Sequence, residues 1–265
     1  MSALDEIDAI INLIEAALPA SITKPENIAM ADKLEKALAK YFEDMANAFP
    51  YHRAEAVYTD NVKEALGWDW LNGWLKAFEG SLLEILGKHL ADIYYAGSMQ
   101  VISYGKTKMG IPIAYEGPPM SQAVNWARDY GSKLVTKMSD ESRSRLAQII
   151  SDGIQNKRGL EGLASDIRKE FEDMSVTRSR LIAKTETGNA LGQSFLDRNR
   201  DMGVDGKEWV LGSGGREGNC QDCIDNADAG VIPIEQEFPS GVMTVLQHPG
   251  CTCACAPAML KRKEE

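Results

Sequence analysis

Cys220-Gln-Asp-Cys223 and, 24 residues further on, His248-Pro-Gly-Cys251-Thr-Cys253 are the two stretches on which the reading of this chain turns. With Cys255 they hold all five cysteines of the 265-residue sequence, and residues 1–219 contain none. A disulfide-built secreted fold distributes its bridges through the chain, so this clustering excludes one. Zinc takes four thiolate or imidazole ligands in a tetrahedron, commonly delivered as two close pairs. The C-x-x-C spacing wraps one turn of backbone around an ion. Pro249 and Gly250 favour a tight reversal that brings His248 and Cys251 together. The expected ligands are therefore Cys220, Cys223, His248 and Cys251. Cys253 is the rival for the fourth place, because residues i and i+2 of an extended segment face the same side. Cys255 reads as a bystander. A full set of four protein donors leaves no position for water, so the zinc expected is structural rather than catalytic.

Three other readings of the cluster are weaker. A thioredoxin-like pair needs a βαβ context around Cys220 and Cys223, and the sequence supplies none. A nucleophilic cysteine with His248 as its base leaves the remaining clustered cysteines unexplained. Unpaired buried cysteines would leave the two-pair spacing to chance.

The surrounding segment is short of core. From Arg200 to Pro257 there are nine acidic residues against three Arg and Lys. Strands are expected at Lys207–Leu211, Val231–Ile234 and Val242–Leu246, with a glycine-rich loop over Gly212–Gly218. A module so small and rich in loops needs a staple.

Upstream the period changes to that of helices. Leu4, Ile7, Ile11, Ile14 and Leu18 form one stripe, closed by Pro19. Thr23-Lys24-Pro25-Glu26 has the form of a capping box with proline in the first turn, and the stripe from Ile28 to Phe49 follows. Further helices are expected over Glu55–Leu66, from the Trp68, Trp70 and Trp74 cluster through Val101, and over Ala123–Met138, Leu146–Ile154, Leu160–Phe171 and Val176–Met202. The tryptophans read as helix–helix anchors, and His52 and His89 as ordinary helix residues. Ala183, Thr187, Ala190, Leu191 and Ser194 make one small-residue face on the last helix, which another backbone can approach closely. Gly110–Pro119 breaks the helical pattern.

The expected fold is mainly α, a helical body with a small zinc-stapled β module near the C-terminus. Its divisions are an N-terminal helical region (1–115), a second helical part (116–204), the β module (205–258) and a charged tail (259–265). A net charge of −10 argues against wrapping nucleic acid through phosphate neutralisation. The uncharged run from Phe238 to Leu260 holds Pro239, Gly241, His248, Pro249, Gly250 and Pro257, which no spanning helix would tolerate. The N-terminus is acidic where a signal peptide would be basic, so the chain is expected to be soluble, with no membrane partner.

Arg178-Ser-Arg180-Leu-Ile-Ala-Lys184-Thr185-Glu186-Thr187 resembles the R-x-R-x-I-A-R-T-E-T helix of the phage head morphogenesis proteins, minor head proteins similar to the F protein of phage Mu. Trp209 on a strand, the Cys220/Cys223 pair and the closing His248-Pro-Gly-Cys251-Thr-Cys253 fit the order and spacing of that family. The resemblance covers residues 120–257 and does not reach the N-terminal helices. Lys184 and Thr252 stand where the family usually has arginine, and neither change removes an expected ligand. The resemblance implies a non-enzymatic minor head protein of a tailed bacteriophage. It implies a role in procapsid assembly at the portal vertex, with the protein in the capsid interior of the virion and in the host cytoplasm during assembly. The implied partners are the portal protein, the capsid or scaffold protein and other copies of the chain, with no specific nucleic acid. The implied role of Glu186 is to tie its helix to the zinc module, with Arg216 as one partner. The alternative expectation is a Cys/His-dependent hydrolase or toxin-like effector domain.

Overall fold

A computed structural model of the chain describes residues 17–59, 68–111, 120–212 and 218–260. The stripe from Leu4 to Ile14, residues 60–66 of the third expected helix, most of the break over 110–119, Arg216 and the end of the charged tail lie outside the described residues. The fold class is as the sequence predicts: mainly helical, with one small sheet and the cysteine cluster near the C-terminus.

The helices are α1 (Pro25–Asn47), α2 (Tyr51–Thr59), α3 (Asp69–Thr107), α4 (Met120–Gln155), α5 (Leu160–Asp173), α6 (Ser179–Asp201) and α7 (Gln221–Asp228). Pro25 opens α1, where its missing N–H is no loss. The two stripes at 123–138 and 146–154 belong to one continuous helix, α4. Neither glycine nor proline falls between Met138 and Leu146, so nothing there ends it. Between α5 and α6 a π turn, Met174–Arg178, inserts an extra residue into what the sequence presents as the start of a single helix.

The chain forms two compact units, each drawn from separated stretches of sequence. One comprises Leu34–Lys88 and Trp126–Arg180. Its core is made of the stripes themselves: Leu34, Leu38, Phe42 and Met45 from α1, Leu82 and Leu86 from α3, Ile150 from α4, Ile167 and Phe171 from α5. Phe49 sits at the centre of an aromatic cluster, edge-on to Trp74 at 5.1 Å, Phe171 at 5.5 Å and Trp70 at 6.0 Å. The Trp74 Nε1–H donates to the Ala48 carbonyl at 3.1 Å, so this tryptophan anchors helix to helix as expected.

In the same unit the guanidinium of Arg178 is buried. It donates to the Ser142 Oγ (2.9 Å) and the Met138 carbonyl (3.3 Å), pairs with Glu141 (3.1 Å) and lies 5.5 Å over the Phe42 ring. Burial pulls its pKa down, against the pull of Glu141.

The other unit comprises Met1–Lys33, His89–Asn125 and Leu181–Glu265. Here α6 packs on α3 through small residues: a Cβ on Gly97 would overlap the Ser194 Oγ and touch Leu191. The Tyr94 hydroxyl donates to Asp197 at 2.6 Å. The sheet also belongs to this unit. It has three antiparallel strands in the order β2-β1-β3, with β1 Gly206–Val210, β2 Ile232–Pro233 and β3 Ala254–Ala258.

The strand expected at Val242–Leu246 is absent. That segment lies on α6 instead, where a Cβ on Gly192 would overlap the Val245 carbonyl oxygen and one on Gly188 would come within 2.5 Å of the Leu246 side chain. Its carbonyls take other donors: the Lys207 ammonium reaches the Met243 oxygen at 2.6 Å, and the Phe238 N–H reaches the Val242 oxygen at 2.8 Å. The third strand is Ala254–Ala258, a run without β-branched residues. It pairs with β1 on one side only, so Pro257 sits on an edge strand, where its missing N–H is tolerated.

Candidate metal centre

Two local structures deliver the donors. Cys220 caps α7 with extended backbone (φ −70°, ψ 162°), and its carbonyl takes the Ile224 N–H at 3.1 Å. Cys223 follows in the first turn, so the C-x-x-C spacing places both sulfurs at one helix end. The second structure is a β-turn over His248-Pro249-Gly250-Cys251, in which the Cys251 N–H donates to the His248 carbonyl at 3.1 Å. Pro249 presets the first central position, and Gly250 takes φ +80° at the second, as a type II turn requires. Cys253 continues from Cys251 with its side chain on the same side.

The turn and the helix end meet. Cys220, Cys223 and His248 place one donor atom each within 4.8 Å of one another, and Cys223, Cys251 and Cys253 do the same. The Cys223 Sγ lies 3.8 Å from the Cys251 Sγ and 3.9 Å from the His248 Nε2. All four expected ligands and the rival Cys253 thus converge on one cluster that can hold a metal ion. The Cys255 sulfur is in neither set. It is buried on β3 and accepts from the Thr244 Oγ1 at 3.7 Å, and burial pushes its thiol up to about 11.

The His248 ring makes a local hydrogen bond from Nδ1 to the Pro249 carbonyl at 3.0 Å. That bond fixes the proton on Nδ1 and leaves the Nε2 lone pair facing Cys223, the arrangement a metal-binding imidazole needs. It also raises the His248 pKa, against burial.

The sulfurs do not ionise independently. Burial, then the charge of Cys251, pushes the Cys223 thiol up. The hydrogen bond from Cys253 holds Cys251 down to about 5, and the same bond together with burial pushes Cys253 up. The Cys223 backbone N–H lowers the pKa of Cys220. Buried thiols that resist ionising together are the situation a divalent cation resolves.

Groups around the cluster hold it in place. The Gly212 N–H donates to the Cys253 Sγ at 3.4 Å, and the Cys253 thiol reaches the Asn219 Oδ1 at 3.2 Å. A Cβ on Gly212 would overlap Thr252, so only glycine fits there. Asn226, buried in α7, accepts the Ser240 N–H at 3.0 Å and donates to its hydroxyl at 2.8 Å. Ser240 donates to the Gln247 Oε1 (2.8 Å), and Gln247 in turn donates to Asp222 (3.1 Å). The network ties the residue before His248 back to the helix between Cys220 and Cys223. Sequence reading missed these groups, whose only signal is that Asn219, Asp222 and Gln247 are immediate neighbours of ligand-type residues.

Of the residues that carry the resemblance, Lys184 lines a cavity of about 260 Å³ with Leu246, Cys251 and Thr252. Glu186 is buried and accepts from the Asn189 Nδ2 at 3.1 Å. Trp209 is buried edge-on to Phe238 at 5.0 Å. No helix among the described residues is long and apolar enough to cross a membrane. Compared with protein-family models, curated proteins and solved structures, the chain matches none of them.

Proposed function

We propose that the chain is a minor head protein of a tailed bacteriophage that works by binding, in procapsid assembly at the portal vertex, and that its cysteine cluster holds a structural zinc ion. The observation that carries this reading is a packing contact. The helix with the Arg178–Thr187 motif continues into Gly188 and Gly192, and these receive the segment Thr244–Leu246 that leads into the His248 turn. The segment that directly follows the one feature and the segment that directly precedes the other are therefore packed together. Zinc suits the donor set: Zn–S bonds of about 2.3 Å at tetrahedral angles separate two sulfurs by about 3.8 Å, and Cys223 and Cys251 stand 3.8 Å apart. Four of Cys220, Cys223, His248, Cys251 and Cys253 complete its shell. The acidic balance suits protein partners: the portal, capsid or scaffold protein and further copies of the chain. The site of action would be the capsid interior, reached through assembly in the host cytoplasm.

Metal analysis of the purified chain tests the zinc, with about one ion per chain expected. Co-purification with the portal protein encoded in the same phage genome tests the assembly role, and an absence of binding at micromolar concentration would remove it. A metal-free protein with one hyper-reactive thiol would favour a Cys/His hydrolase or effector instead.

A further inference from the structure

We infer that the centre has three fixed ligands and one exchangeable place: Cys223, Cys251 and Cys253 hold the ion, while Cys220 and His248 are alternative fourth ligands. The inference rests on the zinc reading above and deepens it. Cys223, Cys251 and Cys253 form one of the two donor sets, and all three are buried. The other set shares Cys223 and adds Cys220 and His248, both exposed. Five donors exceed the four places of a tetrahedral ion.

The restraints on the two sets differ. The Gly212 N–H donates to the Cys253 Sγ (3.4 Å), a bond that a metal-bound thiolate keeps, and the Cys251 N–H closes its turn on the His248 carbonyl (3.1 Å). Cys220 sits at the cap of α7 without a side-chain capping bond, and the His248 ring, whose Nε2 lies 3.9 Å from the Cys223 Sγ, makes its outer hydrogen bond within its own exposed turn, to the Pro249 carbonyl. Buried sulfurs fixed by outer hydrogen bonds keep their places. The two exposed donors beside Cys223 share the one that remains. Cys220 completes a shell of four sulfurs, and His248 one of three sulfurs and a nitrogen. Whichever donor is off the ion is open to solvent, so the ion can pass to an incoming ligand at that place without the module unfolding.

The test uses the full chain with Co²⁺ as an optical probe and Zn²⁺ in competition with a chromophoric chelator. Cys220→Ser and His248→Asn should each still bind one ion, within about tenfold of the wild-type affinity, about 1.4 kcal/mol. Their cobalt spectra should differ, with three sulfurs and a nitrogen in the first and four sulfurs in the second. Cys253→Ser and the double variant Cys220→Ser/His248→Asn should lose affinity by more than about a thousandfold. Alkylation of the zinc-loaded wild type with iodoacetamide should modify Cys220 while the ion stays bound, a measurement that needs no variant to fold. Loss of binding in either exposed single variant, near-wild-type binding by Cys253→Ser, or release of zinc on alkylation of Cys220 would overturn the exchangeable place. A wild-type chain that binds no metal would instead overturn the zinc reading itself.

Discussion

The helices of residues 34–88 and 126–180 and the module from Gly206 to Ala258 bury different chemistry. The helices bury leucine, isoleucine, methionine and phenylalanine in stripes, with Arg178 as the one buried cation among their described residues. The module buries Trp209 and Phe238 but also four cysteines, Asn226 and Lys207. Apolar burial contributes about 25 cal/mol per Å² wherever it occurs, whereas a buried thiol, amide or ammonium helps only when its partner is present. The helical stretch therefore derives its stability from area, and the module derives it from specific partners. Losing one apolar contact should weaken the first by degrees. Losing one of the three buried ligands, Cys223, Cys251 or Cys253, should dismantle the second.

The largest expected effect is that of Cys223→Ser, because Cys223 belongs to both donor sets. Structural zinc contributes roughly 10–16 kcal/mol of apparent binding energy in small domains, so this variant should bind no ion, and limited proteolysis should cut within residues 206–258. Helical circular dichroism should change little. If Cys223→Ser bound zinc normally, the contrast between the two regions would fail at its root.

Gly192→Val comes next. Its side chain would drive into the Val245 carbonyl and Thr244. Overpacking of this kind destabilises by about 1–3 kcal/mol, read as a lower denaturation midpoint with reduced zinc affinity. The control is Gly80→Ala in α3, where a Cβ meets nothing within 4 Å. That change should stabilise by about 0.5–1 kcal/mol.

In the helical region Arg178→Met should be better tolerated than Arg178→Ala. Methionine keeps the packing on Phe42, and the Glu141 carboxylate is half exposed and regains water. Alanine leaves a cavity and should lower stability by about 2 kcal/mol more than methionine does in chemical denaturation.

The last effect is confined to alkaline pH. Burial pushes the Lys207 ammonium down to about 8, from 10.5. The native protein loses that proton first, so between pH 8 and 10.5 the unfolded chain binds more protons and stability rises with pH. Below pH 8 both states are protonated and the penalty of the buried charge is constant. Lys207→Met should flatten the rise in a series of melts across that range.

The same contrast decides how much could be read in advance. The stripes from Ile28 to Phe49 and from Leu160 to Phe171 predict α1 and α5 because helical period and apolar burial coincide there. The π turn at Met174–Arg178 left no trace, since one added residue shifts the stripe without breaking it. In the module, the ligand-type residues were visible through their spacing and the His248 turn through Pro249 and Gly250. The strands were not. Val242–Leu246 has strand composition but packs on Gly188 and Gly192, and Ala254–Ala258 lacks it but pairs with β1. Both outcomes are set by tertiary contacts around the cysteine cluster, which local propensity does not register.

The most direct test of the metal staple is amide hydrogen exchange on the purified chain with zinc bound and after chelation. Protection in β1, β3 and α7 should fall by at least about a hundredfold, about 2.7 kcal/mol of local opening energy, while α1, α4 and α5 keep theirs. Unchanged protection across residues 206–258 after complete removal of the metal would contradict the account.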